Sequence, residues 1–170
     1  MTVATAVKKR TRKKAESEKY EFKGTFSGSD AEWLKLVKTI VAMANTSGGS
    51  LEVTPIEAVD RQLFDTARID DKVNAFISPR IHNLTSRVKN GTIVIQVPNS
   101  PSKPHIFIKT GAYQNPKIPS RQLNEFYQGQ IWVRHSGKLL NQFILLKIWE
   151  EFYERKTLSF YMEIPAFPLR

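Results

Sequence analysis

Residues 29–54 read SDAEWLKLVKTIVAMANTSGGSLEVT and combine a helix, its terminator and the start of a strand. Ser29 and Glu32 have the spacing of a capping box, in which two residues satisfy each other's free backbone N–H groups at a helix start. Apolar residues follow at the spacings of one helical face, namely Trp33, Val37, Ile40, Val41 and Ala44. Residues 45–49, Asn-Thr-Ser-Gly-Gly, favour left-handed and turn conformations. The pattern predicts a helix that ends at this turn and a strand at residues 50–54.

A strand before this helix and a hairpin after it are predicted from alternation and turn chemistry. Residues 20–26 alternate apolar with polar side chains, the pattern of a short half-buried strand. Asn90 and Gly91 join a run ending at Lys89 to residues 92–97, Thr-Ile-Val-Ile-Gln-Val. This pair suits a two-residue type I′ turn, because both central residues need a positive φ.

The segments around these elements are less regular. Residues 67–78 have a helical apolar pattern that ends before Pro79. Residues 105–109 and 130–134 are candidate strands. Between them, residues 114–128 are rich in Asn, Pro and Gln, which predicts an irregular loop.

The C-terminal part combines an apolar helical pattern with a proline-containing tail. A helix from about Leu139 to Arg155 has an apolar face wider than a single stripe. Such a helix is deeply buried or contacts a second subunit. The tail at residues 157–170 is apolar, and Pro165 and Pro168 prevent it from forming a helix.

Together these elements predict one α/β (α+β) domain with a mixed, mostly antiparallel sheet flanked by helices. The domain is expected at residues 16–156, between a disordered basic arm at residues 1–15 and the tail. The chain of 170 residues, 41% of them apolar, suffices for one core without disulfides or metal.

Composition narrows the class of protein further. There is no cysteine, which excludes a disulfide scaffold, a cysteine nucleophile and a thiolate metal site. No apolar run approaches the roughly 20 residues that cross a bilayer, and the first residues lack the hydrophobic core of a secretory signal. We therefore expect an intracellular protein, cytoplasmic or associated with a nucleoid or nucleus, with no membrane partner.

The charge points to polyanions, and to nucleic acid first. Twenty-six Lys and Arg against sixteen Asp and Glu give a net charge of +10 and an isoelectric point near 9.9. Six of the cations lie in the first fourteen residues, which contain no acid. This basic arm predicts non-specific phosphate contacts, with a solubilising tail as the alternative; its cations are Lys8, Lys9, Arg10, Arg12, Lys13 and Lys14.

Several short segments occur in a fixed order along residues 16–140. They are Glu21-Phe22-Lys23, Ala-Asn-Thr-Ser-Gly-Gly at the end of the first helix, Ile77-Ser78-Pro79-Arg80-Ile81, residues 93–100, Lys103-Pro104-His105 and residues 131–137. Together they resemble the Schlafen-type AlbA-like domain, a family associated with nucleic-acid binding, and Ala-Asn-Thr-Ser-Gly-Gly is the most specific of them. One segment departs from the family, because residues 51–57 contain Pro55 and lack the usual glycine.

The resemblance implies a partner, DNA or RNA, bound mainly through phosphates with weak sequence dependence. The cations expected to line a groove of the folded domain are Lys23, Arg80, Lys103, Arg134 and Lys138, together with Arg87, Lys89 and Lys109. For Arg134, an ion pair with a carboxylate is an equal alternative to a phosphate contact. The turn at residues 45–49 is either a phosphate-binding nest or only a helix cap.

The resemblance also implies a second hypothesis, a divalent-metal-dependent endoribonuclease. Its catalytic and metal-binding carboxylates would be Glu16, Glu21 and Glu57, with Asp60 as an alternative third member, and its cofactor Mg²⁺ or Mn²⁺. Residues five apart on a straight strand point to opposite faces, so Glu16 and Glu21 converge only if the chain bends between them.

Assembly with a second copy is expected on the same grounds. The vertebrate relatives join two such lobes in one chain, so a chain with one lobe is predicted to form a homodimer, with the last helix as a candidate seam. A third hypothesis is a structural or assembly component of a larger nucleoprotein complex, in which the arm and the tail act as tethers.

Overall fold

The computed structural model describes residues 19–56, 60–135 and 138–141. Within these ranges the chain forms ten strands, two α-helices and a short 3₁₀ helix. In chain order they are β1 (Tyr20–Phe26), α1 (Asp30–Asn45), β2 (Gly49–Pro55), the 3₁₀ helix (Arg61–Phe64), α2 (Thr66–Asn74), β3 (Ile77–Ser78), β4 (Thr85–Lys89), β5 (Thr92–Val97), β6 (Ile106–Phe107), β7 (Gly111–Gln114), β8 (Gln122–Phe126), β9 (Trp132–His135) and β10 (Lys138–Asn141).

The main sheet has four strands in the order β1-β2-β5-β4. Strand β1 runs parallel to β2, to which it is joined through α1, whereas β2, β5 and β4 pair antiparallel. Three antiparallel two-stranded sheets, β3–β6, β7–β8 and β9–β10, complete the described part. This mixed, mostly antiparallel arrangement with helices confirms the predicted α+β fold and its single domain.

Helix α1 is the centre of the core. It contacts β2 and β5 of the main sheet and also β7, β8 and β9. All five residues of its predicted apolar face are buried, and Leu34, Leu36, Thr39, Ala42 and Met43 are buried as well. A helix that is covered on more than one side buries more than a single stripe. The last turn of α1 therefore lies close to several other segments of the chain, and the candidate site is built around it.

The predicted capping box forms only in part. Ser29 is the N-cap of α1, but its side chain makes no capping hydrogen bond. The Glu32 carboxylate instead accepts hydrogen bonds from the backbone N–H and the hydroxyl of Ser27, both at 2.6 Å. Burial raises the pKa of Glu32, but the hydrogen bonds from Ser27, Gly28 and Ser29 outweigh it and lower the pKa. The carboxylate thus stabilises the turn that precedes the helix.

The strand and hairpin predictions are confirmed. Residues 20–26 form β1, and β2 extends the predicted strand by one residue at each end. Asn90 and Gly91 have φ values of +50° and +78° and close the hairpin between β4 and β5. Local alternation and turn chemistry sufficed here because both act between residues that are close in sequence.

The second helix is shorter than its apolar pattern predicted. Helix α2 ends at Asn74, and Ile77–Ser78 form β3 rather than the last helical turn. The residue before a proline is disfavoured in the α conformation, so Pro79 excludes Ser78 from a helix. Strand β6 offers Ile77 a pairing partner instead.

The other predictions for the second half need correction. The expected irregular loop at residues 114–128 contains β8, which pairs with β7. The candidate strand at residues 105–109 is reduced to Ile106–Phe107, and the one at 130–134 shifts to Trp132–His135. Pairing partners distant in sequence decided these boundaries, which propensity alone does not reveal.

The predicted last helix does not begin at Leu139. Residues Lys138–Asn141 form β10, whose backbone pairs with β9. The rest of that helix, the basic arm and the C-terminal tail lie outside the described residues, and so does the proposed seam of a homodimer. Among the described residues, no helix is both long and apolar enough to span a membrane.

Candidate functional site

Asn45, the last residue of α1, fastens two distant segments to the helix. Its side-chain oxygen accepts a hydrogen bond from the backbone N–H of His105 at 2.7 Å. Its amide nitrogen donates to the backbone carbonyls of His105 at 3.0 Å and Trp132 at 2.9 Å. Three backbone groups beside β6 and in β9 are thereby satisfied by one side chain. Asn45 is a structural junction.

Thr46 continues this junction and engages one of the predicted phosphate-binding cations. Its hydroxyl donates to the carbonyl of Ala42 and accepts from the backbone N–H of Arg134, both at 2.8 Å. Its carbonyl accepts from the ammonium of Lys103 at 2.8 Å, which also donates to Asn99 at 3.1 Å. A cation at a helix C-terminus stabilises the partial negative charge of the carbonyl groups. Lys103 therefore caps α1.

The two glycines of the turn at residues 45–49 permit close backbone contacts. Gly48 and Gly49 have φ values of +66° and +140°. A Cβ atom would lie 2.5 Å from the backbone nitrogen of Asn99 at Gly48, and 2.3 Å from the carbonyl oxygen of Lys19 at Gly49. The glycines thus let the end of α1 approach β1 and the segment after β5. The role of this turn as the cap of α1 explains why both positions are glycine.

The candidate catalytic residue Glu21 forms a buried ion pair. It lies in β1 and is 7% exposed. One carboxylate oxygen accepts a hydrogen bond from the guanidinium of Arg134, whose side chain is fully buried. The other oxygen lies 2.6 Å from the ammonium of Lys23. For Arg134 the structure shows the ion-pair alternative, with a side chain that is fully buried, and a phosphate contact of this residue stays a prediction.

This arrangement does not fit a divalent-metal site. A metal ion would need a carboxylate oxygen of Glu21 as a ligand, but both oxygens already contact cationic side chains. Asp60 is also engaged, because its carboxylate accepts from the backbone N–H of Gln62 at 2.9 Å and caps the 3₁₀ helix. No group of three potential metal ligands occurs in the part of the chain that the structure describes. Glu16 and Glu57 lie outside the described residues, so the three-carboxylate cluster stays a prediction.

The remaining predicted cations differ in their surroundings. Arg80 forms an exposed ion pair with Asp70 at 3.0 Å. Lys138 is exposed in β10, and no ion pair joins it to another described residue. The six cations of the basic arm lie outside the described residues. Among the described residues, Lys23, Arg80 and Arg134 therefore have carboxylate partners, whereas Lys103 and Lys138 have none.

Three arginines that share one groove were largely missed by the sequence analysis. The groove has a volume of about 520 Å³ and lies between the segment of the 3₁₀ helix and α2 on one side and β4 on the other. Arg61 and Arg68 stand on the first wall and Arg87 on the second. All three are exposed, and none forms an ion pair within residues 19–56, 60–135 and 138–141. We call this feature the arginine groove.

The sequence carried only a weak signal for this groove. Arg87 was among the candidate cations, but Arg61 and Arg68 lie in a segment without a recognisable motif. Thr66 at the start of α2 brings the two walls together, because its hydroxyl accepts from the backbone N–H of Ser86 at 3.0 Å. A side-chain contact across 20 residues is not visible as a local pattern.

The fold and this junction define an α+β domain in which β1, α1 and β2 form a parallel unit closed by a Gly-Gly turn. The family model "Schlafen, AlbA_2" matches residues 16–139, which is most of the chain. The chain belongs to this family, and the resemblance drawn from the sequence is confirmed.

Comparison with individual proteins adds little to this assignment. The chain is similar to a solved structure, the DIP2311 protein from Corynebacterium diphtheriae, with 13% sequence identity and a TM-score of 0.44. The match covers 72% of this chain and 22% of that one, so the chain spans about a fifth of the length of its solved relative. No curated protein matches.

Proposed function

We propose that this protein binds nucleic acid through the phosphate backbone, with weak dependence on sequence. The observation that carries the proposal is a cationic edge of the main sheet. Strand β4 is the last strand of that sheet; its exposed Arg87 lines the groove with Arg61 and Arg68, and the exposed Lys89 follows two residues further along β4. These four cations form no ion pair with another described residue.

Cations without carboxylate partners are available to a phosphate, whereas paired ones must first give up a partner. Lys23, Arg80 and Arg134 are paired with carboxylates, and Lys103 is held by the carbonyl of Thr46 and the side chain of Asn99. Phosphate neutralisation releases counterions, and it supplies affinity without reading bases. The membership in the Schlafen, AlbA_2 family and the excess of basic residues support the same function.

The test is the salt dependence of binding to labelled DNA and RNA oligonucleotides, followed by fluorescence anisotropy. If six phosphates are neutralised, affinity should fall by about 10³ between 50 and 200 mM salt. Deletion of residues 1–14 should reduce the slope in proportion to the phosphates that the basic arm contacts. A slope near zero for the full chain would refute phosphate-driven binding.

The nuclease hypothesis is the second candidate, and it makes a separate demand on Glu21. A metal ion there would have to displace Lys23 and Arg134 from the carboxylate. Cleavage of RNA in the presence of Mn²⁺ or Mg²⁺, lost in a folded Glu21→Gln variant, would support it. Unchanged cleavage in that variant would point to a contaminant.

A further inference from the structure

We infer that the arginine groove holds the sugar–phosphate backbone of one nucleic-acid strand and does not read its bases. This inference rests on the proposed function and specifies the form of nucleic acid that the site takes. It follows from the size of the groove, the placement of its donors and the absence of an exposed aromatic ring among its lining residues.

The size of the arginine groove limits what can enter it. Clefts of a few hundred Å³ enclose ligands of drug size, and about 520 Å³ therefore accommodates one or two nucleotides. A volume of about 520 Å³ is too small to enclose both strands of a duplex. One strand, in contrast, can pass between Arg61 and Arg68 on one side and Arg87 on the other.

The charge of the groove suits an anion held from both sides. Asp65 is the one acidic residue in the lining, and its carboxylate accepts a hydrogen bond from the backbone N–H of Ala67 at 2.9 Å. Three guanidinium groups therefore outnumber a single carboxylate that already serves as the N-cap of α2. Guanidinium groups bind phosphate oxygens in a bidentate manner, which adds geometric selectivity to the charge.

The edge of β4 adds a backbone donor. In a two-residue hairpin the residues flanking the turn, here Lys89 and Thr92, form a hydrogen-bonded pair, and such pairs alternate along the ladder. Ser86 and Val88 therefore direct their N–H and C=O groups away from β5. The groups of Ser86 are bonded to the hydroxyl of Thr66. By the same alternation, the N–H of Val88, which also lines the groove, points to the side of β4 on which Ser86 meets Thr66.

The apolar part of the lining suits a sugar rather than a base. Val88 is 57% exposed and offers an aliphatic surface beside the arginines. Phe64 is 2% exposed and packs against Phe26 and Trp33, with ring centroids 5.3 and 5.0 Å away. Its ring is therefore not available for stacking, which is the usual source of base contacts in single-strand binding.

The experiment compares two charge-matched triple variants of the full chain. The groove variant is Arg61→Gln/Arg68→Gln/Arg87→Gln, and the control is Lys35→Gln/Lys117→Gln/Arg121→Gln, which removes three exposed cations outside the groove. The probes are a 20-nucleotide single strand, its duplex and an abasic single strand of the same length. Thermal denaturation verifies that both variants are folded.

We expect the groove variant to bind the single strand about 100-fold more weakly than the wild type at about 0.1 M salt, and the control within about threefold. The abasic strand should bind within about threefold of the normal strand, because its backbone is unchanged.

Three results would overturn the inference. Equal losses in the two triple variants would show that only the net charge matters. A tenfold preference for the duplex would exclude a one-strand groove, and a tenfold loss with the abasic strand would show that bases are read. Failure of the wild type to bind any probe at low salt would instead refute the proposed function itself.

Discussion

Replacing Arg134 with Met would remove one partner of the buried ion pair in the core of this domain. The Arg134 side chain is fully buried, and that of Glu21 is 10% exposed. Removal of one member of a buried pair costs about 3–5 kcal/mol, because the remaining charge stays in the interior. Lys23 lies 2.6 Å from Glu21 and partly compensates its charge in this variant. We therefore expect the lower end of the range, about 3 kcal/mol.

The converse variant and the double variant separate pairing from packing. Glu21→Gln leaves the guanidinium of Arg134 without this carboxylate, so we expect a loss of about 4–5 kcal/mol, larger than that of Arg134→Met. The double variant should be more stable than the sum of the two losses predicts, by about 2 kcal/mol. If Glu21 and Arg134 stabilise the fold by neutralising each other's charge, the double variant must show this coupling.

The chain contains a matched control in its exposed ion pair. Arg80 and Asp70 have the same chemistry, but their side chains are 58% and 29% exposed. Arg80→Met should therefore change the free energy of unfolding by less than about 1 kcal/mol. Urea unfolding followed by tryptophan fluorescence measures all four variants. If Arg134→Met and Arg80→Met unfold at the same urea concentration, the stabilising role of the buried pair is refuted.

Two further predictions follow from the junction around α1. Gly49→Ala should destabilise the protein by about 3 kcal/mol or more, because its new Cβ would lie 2.3 Å from the carbonyl oxygen of Lys19, and urea unfolding measures the loss. His105 should make stability fall as the pH falls below about 6.5, because burial lowers the pKa of its folded form and the unfolded chain binds the proton first. Melting temperatures at pH 7.5, 6.5 and 5.5 should therefore decrease more steeply in the wild type than in His105→Gln.

Each of these predictions has its own control. Gly24→Ala tests the same substitution where no atom lies within 4 Å of the new Cβ, and it should stay within about 1 kcal/mol of the wild type. Equal effects at Gly24 and Gly49 would contradict the close-contact argument. For His105, Nδ1 contacts the carbonyl of Pro79 at 2.7 Å and Nε2 is buried without a hydrogen-bond partner among the described residues. Parallel pH profiles for wild type and variant would contradict its role.

Three contributions of different sign act on the pKa of His105. Burial is the largest effect and lowers the pKa of His105, the Pro79 carbonyl opposes it, and the nearby His82 lowers it further. Because the folded-state pKa is below the unfolded value, the unfolded state holds more protons in acid. Stability is therefore complete above the unfolded pKa and decreases as the pH falls toward the folded one.

Elements with local signals could be predicted from the sequence. The apolar spacing from Trp33 to Ala44 gave α1, and Asn90-Gly91 gave the hairpin, because both depend on residues within one or two turns of each other. The sequence also identified the family, whose specific element is the turn at residues 45–49. The structure explains that element, since Gly48 and Gly49 stand where a side chain would meet backbone atoms.

Which charges pair and which remain available to a ligand depends on the fold. Glu21 and Arg134 are separated by 113 residues, and no spacing rule connects them. The two walls of the arginine groove likewise meet only because α2 bonds to the edge of β4. Ion pairs and grooves depend on contacts between segments that are far apart in the chain, whereas periodicity and turn chemistry act between neighbours. For that reason the sequence predicted a basic protein of this family, and the fold selected Arg61, Arg68 and Arg87 as its candidate phosphate ligands.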